Sequence, residues 1–205
     1  MINFDSSNLS GNDMYKLLTG SVVPRPIAWI TTRTIDGTIN AAPFSFFNVV
    51  SSEPPLIMVS IVRIDGNSKD TARNILDNGD AVIHIVSGDM VEEMNVTAAS
   101  LAPDMSELEL AELCTEPSDI VNVPRIKGTK IQLEAKLKQY IPITDEEGGI
   151  VTDLLLMQIV KFHFDEEVLD TEKLYILDDK LDPISRLSGN NYGTLGELFS
   201  LERPE

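Results

Sequence analysis

The chain has 205 residues, with 33 acidic against 16 basic side chains and a formal net charge of −17. So anionic a surface excludes non-specific nucleic-acid binding and docking on anionic lipid, both of which draw on arrays of Lys and Arg. The single cysteine, Cys114, excludes an intrachain disulfide and any multi-cysteine metal centre, and 42% hydrophobic residues is ordinary for one globular domain with a core of its own.

Residues 1–20 carry neither the basic start nor the apolar run of a signal peptide. The longest uncharged stretch, 38–52, is too short and too polar to span a bilayer as a helix, so a cytoplasmic protein is expected. Pro26 to Arg33 (PIAWITTR) is β-branched and aromatic and predicts a strand. Asp36-Gly37 is a turn signal, after which Thr38 to Ser52 resumes as extended chain. Pro54-Pro55 breaks it, and Leu56 to Val62 predicts a buried strand. A helix is expected over Ser68 to Leu76, with Ser68 as N-cap and Asn78-Gly79 as stop.

Ala81 to Ser87 predicts another strand, and Asp89 to Ala99 and Ser106 to Leu113 predict helices. Strands return at Lys130 to Ile143 and Ile150 to Phe164. Between Gln132 and Tyr140 apolar and polar residues alternate, as on a strand with one buried and one wet face. From about residue 165 the chain reads as an irregular acidic extension. Six or more strands without βαβ alternation predict a mainly β, antiparallel sheet closing into a barrel with inserted helices, in one domain over 1–205.

The ligand inventory for metals is short, because His84 and His163 fall in separate strands; no metal site is expected. Cys114 sits among Glu109, Glu112 and Glu116, which disfavour a reactive thiolate. No catalytic acid or base stands out. Two segments do stand out. Residues 1–100 hold 11 acids and 6 bases, and residues 101–205 hold 22 and 10, so an anion site is expected in the first half.

In Asn40 to Ser52 (NAAPFSFFNVVSS), small residues precede Ser45, Phe46, Phe47, Asn48 and Ser51. Backbone groups with Asn and Ser side chains suit the edge of a polar heterocycle, although a plain barrel strand with core phenylalanines has the same composition. At Ser68 to Thr71 (SKDT), a helix N-terminus with Lys69 and the hydroxyl of Thr71 makes a phosphate cradle, and Arg63 lies just upstream. Asp70 opposes an anion there unless it turns to Arg73 at i+3. A plain helix start is the other reading of this segment.

Together PRPIAWITTR, DGTINAAPFSFFNVVSSEPPLIMVSI, KDTARNI, MNVTAA, VPRI, FHFDEEVLD and RLSGNNY resemble the flavin reductase-like, FMN-binding split-barrel family, in particular its flavoredoxin-like branch. The resemblance covers about Ser21 to Tyr192. It implies an FMN-binding split β-barrel that forms a homodimer with non-covalent FMN near the interface. Carried over by position, it implies that Thr31, Thr32, Ser45, Phe46, Phe47, Asn48 and Ser51 lie along the isoalloxazine and ribityl chain. Arg63, Lys69, Asp70 and Thr71 would surround the phosphate. An FMN-dependent oxidoreductase is the expected function, with an FMN-binding electron carrier served by a redox partner protein, or a non-catalytic flavin-binding module, as alternatives. NAD(P)H is a candidate donor, but Gly148 to Gln158 (GGIVTDLLLMQ) lacks the Gly-Asp-His-like signature of the NADH-using members. His84 stands where the family commonly has asparagine.

Overall fold

The computed structural model describes residues 1–102 and 105–204. The chain opens with helix α1 (Gly11–Ser21), started by the Ser10 side chain. The strands β1 (Arg25–Pro26), β2 (Ala28–Arg33), β3 (Ile39–Phe44), β4 (Phe47–Ser52) and β5 (Pro55–Val62) follow. Helix α2 (Asp70–Asn78) leads into β6 (Asp80–Ile85), and the short helices α3 (Val91–Val96) and α4 (Glu107–Leu110) come next. After β7 (Thr115–Glu116) and β8 (Arg125–Ile126) comes the long hairpin of β9 (Ile131–Thr144) and β10 (Ile150–Phe164). The end of the chain forms β11 (Leu169–Asp170), β12 (Tyr175–Ile176), α5 (Asp178–Leu181), β13 (Ser185–Arg186) and β14 (Tyr192–Gly193).

Seven strands make one antiparallel sheet in the order β3-β2-β6-β9-β10-β5-β4. Its outermost members, β3 and β4, are consecutive in the chain and separated only by Ser45 and Phe46. Two residues reach about 7 Å, so opposite edges joined this way force the sheet to curl into a barrel. The seam is incomplete and the barrel is split there. Beside it, the Ser60 N–H donates to the Phe46 carbonyl at 2.8 Å, extending the β4–β5 ladder up to the bend.

Ile30, Val59, Ile61, Ile83, Leu155 and Met157 fill the interior, and Ala72 and Ile75 of α2 pack into the same cluster. On the outer side of β2, Trp29 packs with Met94, Leu108 and Ile126 in a second cluster. A strand covered on both faces has no wet side, which is why AWITT reads as an unbroken buried run. No helix among the described residues is long and apolar enough to cross a membrane.

Five expectations need correction. Residues 38–52 are two strands, because the chain bends at Ser45-Phe46 to cross the seam. The N-cap of α2 is Lys69 and not Ser68, whose hydroxyl donates instead to Asp153 at 2.8 Å. The outer face of β9 is wet only from Lys136; before it, Gln132 and Glu134 are buried beneath the segment leading to β8. The two middle helices are shorter than their patterns, Val91–Val96 and Glu107–Leu110. The acidic extension is not irregular throughout: it forms β11 to β14, and β13 pairs with β1.

Candidate functional site

Pro43 and Phe44, the last residues of β3, form a wall shared by three adjoining cavities of 410, 320 and 280 Å³. The largest opens onto Lys69, Asp70 and Thr71 at the start of α2. The second lies between Met94 and Asn95 of α3 and the β13–β14 hairpin. The third runs along Ser45, Phe46, Arg63 and Lys69. The barrel seam, one helix start and the C-terminal hairpin therefore meet at one groove.

No side chain caps the N-terminus of α2, so its first-turn N–H groups face the largest cavity without a side-chain acceptor. Gly79 ends the same helix at φ +78°, a conformation that favours glycine. Lys69 is exposed, 5.8 Å from the centre of the Phe44 ring, and makes no ion pair among the described residues. Asp70 turns to Arg73, as the i+3 spacing predicts. Positive dipole, free ammonium and diverted carboxylate together give this helix end the chemistry that suits an anion.

The floor of this cavity is a buried polar network. The Thr71 hydroxyl donates to Asn40 Oδ1 at 2.8 Å, and Asn40 Nδ2 donates to both oxygens of Glu107 at 2.9 Å. The Ala41 N–H also donates to Glu107, at 3.1 Å. Thr32 donates to Asn40 Oδ1 and accepts from Asn74 Nδ2. Glu107 was not singled out from sequence, and Asn40 only as the first residue of the segment Asn40 to Ser52. They lie 67 positions apart, and no local pattern announces their contact.

The other expected residues divide three ways. Ser45 and Phe46 line the groove, Ser45 also accepting from Arg25 Nε at 3.4 Å. Arg63 lines it too, but its guanidinium is held by the fully buried Asp153 at 2.7 Å, and its Nη1 by the Gly66 carbonyl at 3.2 Å. Asp153 also accepts from Ser68 and Tyr140. Burial raises the Asp153 pKa, but the hydrogen bonds from Arg63, Ser68 and Tyr140 outweigh it and hold the carboxyl below its usual range.

Thr31 and Thr32 are fully buried, with the Thr31 hydroxyl on the Pro124 carbonyl at 2.8 Å. Phe47 is in the barrel core. Asn48 and Ser51 sit on edge strand β4 and turn to their neighbours, Asn48 Oδ1 accepting from the Val49 N–H and Ser51 Oγ from the Glu53 N–H.

His84 is structural. The Ile126 N–H donates to its Nε2 at 2.9 Å, so Nδ1 carries the proton and donates to the Trp29 carbonyl at 2.8 Å. His163 lies 2.6 Å from Glu134, and Asp119, Glu134 and His163 bring ligand-type atoms within 4.8 Å of one another. Glu134 is already saturated, accepting the N–H groups of Asp119, Ile120 and Val121 at 2.7–2.9 Å. That arrangement clamps a loop. Cys114 is exposed and lies outside the three cavities.

Comparison with known proteins fits this architecture. Residues 19–185 match the flavin reductase like domain. An uncharacterized protein of Bacillus subtilis (strain 168), YwrF, is 50% identical over 201 residues, covering 98% of each chain. Nitrilotriacetate monooxygenase component B from Bacillus cereus superposes with a TM-score of 0.95 at 43% identity, covering 98% of each chain. The 2-nitrobenzoate 2-nitroreductase NbaA of Pseudomonas fluorescens superposes at 0.87 and 32% identity, covering 99% of this chain and 96% of that one. With its split barrel and the extent of these matches, the chain belongs to the flavin reductase-like family.

Proposed function

We propose that the chain is an oxidoreductase that binds FMN non-covalently in the groove beside Pro43 and Phe44. The observation that carries this reading is the start of α2, where an uncapped helix end and an unpaired lysine face a 410 Å³ cavity in a chain of net charge −17. A phosphate monoester is the anion that this donor set fits, and the shared wall leads from it along Ser45 and Phe46 into the third cavity, which is large enough for a ring. Lys69 and the first N–H groups of α2 hold the phosphate. Arg63 positions the turn before them through Asp153 and Gly66. Ser45 and Phe46 flank the ring.

When bound, the flavin supplies hydride and electron transfer. The protein orients it, excludes water with Phe44 and Pro43, and surrounds it with fixed dipoles. A homodimer completes the groove in this reading. Edge strand β4 leaves Val49 and Val50 exposed, and α1 exposes Tyr15, Leu17 and Leu18. Asn48 and Ser51 then meet the cofactor from β4 through the partner. Two relatives with redox names, a monooxygenase component and a nitroreductase, support the class of chemistry.

An absorbance spectrum of the purified protein with added FMN tests the reading, and a preparation that stays colourless overturns it. Oxidation of NADH and NADPH with free FMN then separates a reductase from an electron carrier. The absence of a histidine from Gly148 to Gln158 favours the carrier. Light scattering across a dilution series tests the dimer, expected at twice the 22.6 kDa chain.

A further inference from the structure

Among the described residues, seven of the chain's 16 basic side chains are neutralised in place, Lys16 among them. Arg63, Arg73, Arg125, Lys130, Lys136 and Lys161 all make ion pairs. Arg186 is half-buried and makes none among the described residues. It faces the 320 Å³ cavity, and no acidic residue lines that cavity although the chain has 33. An unneutralised guanidinium in an acid-free cavity of an acidic protein is a place for an anion.

The geometry prepares Arg186 for this role. It pairs with Tyr192 across β13 and β14, and its guanidinium carbon lies 4.6 Å from the centre of the Tyr192 ring. Stacking fixes the plane, and Nη2 donates to the Gly189 carbonyl at 2.5 Å, which fixes the rotation. The other donors of the fork have no acceptor among the described residues. The Tyr192 hydroxyl donates to Asn95 Oδ1 at 2.9 Å, which leaves the Asn95 amide N–H groups to donate in turn. Ser45 and Asn190 add uncharged polar groups to the lining, and Ile27, Phe44 and Met94 suit the face of a ring.

We infer that this cavity binds a single-ring aromatic acid, the carboxylate on Arg186 and Asn95 and the ring on Met94 and Phe44. Its volume is at the small end of ligand pockets, about 300–1,000 Å³, and suits one substituted ring rather than a dinucleotide. That such an acid lies beside a flavin rests on the function proposed above; the anion site itself does not.

Calorimetric titration with benzoate and with benzamide, on FMN-free and FMN-loaded protein, tests the inference. Benzoate is expected to bind about tenfold or more tightly than benzamide, the worth of a charge-assisted bidentate contact. Arg186→Gln is expected to abolish that preference while changing FMN affinity less than about twofold, and Asn95→Leu to reduce it partly. If Arg186→Gln does not fold, the benzoate-to-benzamide ratio of the unaltered protein and of Asn95→Leu still decides. Equal binding of the two probes, or binding of neither, overturns the inference. Loss of FMN in Arg186→Gln also overturns it and assigns the residue to the cofactor. Selective benzoate binding by a protein that takes no FMN supports the acid site and removes the flavin reading alone.

Discussion

Around Glu134 every charged group has its partners, whereas along the groove walled by Pro43 and Phe44 two cations, Lys69 and Arg186, have no carboxylate partner among the described residues. The Glu134 carboxylate is fully buried and accepts three backbone N–H groups and His163. Nearby, His84 is saturated on both ring nitrogens. These groups lie on β6, β9 and β10 beneath the segment that crosses the barrel's outer face. The groove lies where the barrel is split. Buried charge with every bond made holds a loop in place, while half-exposed charge without a partner is available to a ligand. Both kinds of residue look alike in sequence.

The largest expected effect breaks the closed side. Glu134→Ala leaves three N–H groups and His163 without their acceptor, and loss of a buried, fully bonded charge costs about 3–5 kcal/mol. For a chain of this size that is a fall in Tm of about 10 °C, with FMN affinity unchanged. Burial alone raises the Glu134 pKa; the Asp119 N–H, His163 and the Val121 and Ile120 N–H groups hold it down to about 2. The clamp's contribution is therefore present above the ordinary value of 4.5 and is lost only as pH falls through about 2. A thermal melt that Glu134→Ala leaves unmoved shows that the loop is held elsewhere.

His84 gives the next effect, in a different pH window. Burial, aided by the nearby Arg125 charge and opposed by the bond to the Trp29 carbonyl, pushes its pKa down from 6.5 to about 4. The unfolded chain takes up this proton first as pH falls. The stability is therefore complete above pH 6.5 and declines toward pH 4, in total by about 3 kcal/mol at 1.36 kcal/mol per unit. Denaturant midpoints across that window are expected to fall more steeply for the native chain than for His84→Asn. Parallel slopes place the acid sensitivity in the carboxylates.

The barrel was legible in the sequence because β2, β5, β6, β9 and β10 carry β-branched or alternating patterns set by neighbours across the sheet. The helix start at α2 with Lys69 beside it was legible because helix ends and lysines act locally. Other features depend on contacts distant in sequence. Nothing near Thr31 or Thr32 announces that their hydroxyls are taken up by the Pro124 carbonyl and by Asn40 and Asn74. Nothing near Arg63 announces Asp153, 90 positions on, and Glu107 reaches Asn40 across 67. The break at Ser45-Phe46 was hidden because an uncharged run looks alike whether it is one strand or two crossing a seam.

Lys69→Ala sharpens the open side. A charge-assisted contact to phosphate is worth about 1.5–3 kcal/mol, so FMN affinity is expected to fall about tenfold to a hundredfold. Riboflavin, which lacks the phosphate, is expected to bind unchanged, and so is the melting temperature. Flavin fluorescence titration reads both affinities, and equal losses place Lys69 away from the phosphate.

The smallest effect concerns Asp70, where the helix and the ligand make opposite demands on one carboxylate. In the first turn of α2 it favours the helix dipole, worth about 0.3–1 kcal/mol, and its half-exposed pair with Arg73 adds about 0.3–0.5 kcal/mol. Asp70→Asn is therefore expected to lower stability by about 1 kcal/mol or less. Toward a phosphate on the same helix end the carboxylate is a like charge, and such repulsion in water is about 1 kcal/mol at about 4 Å. Removing it is expected to tighten FMN binding by less than about fivefold and to leave riboflavin alone. The gain should shrink as salt rises, because the charges face solvent. Stability and affinity thus move in opposite directions in one variant, which a merely loosened helix does not produce. Weaker FMN binding in Asp70→Asn shows instead that the Arg73 pair shapes the cradle more than its charge repels the ligand.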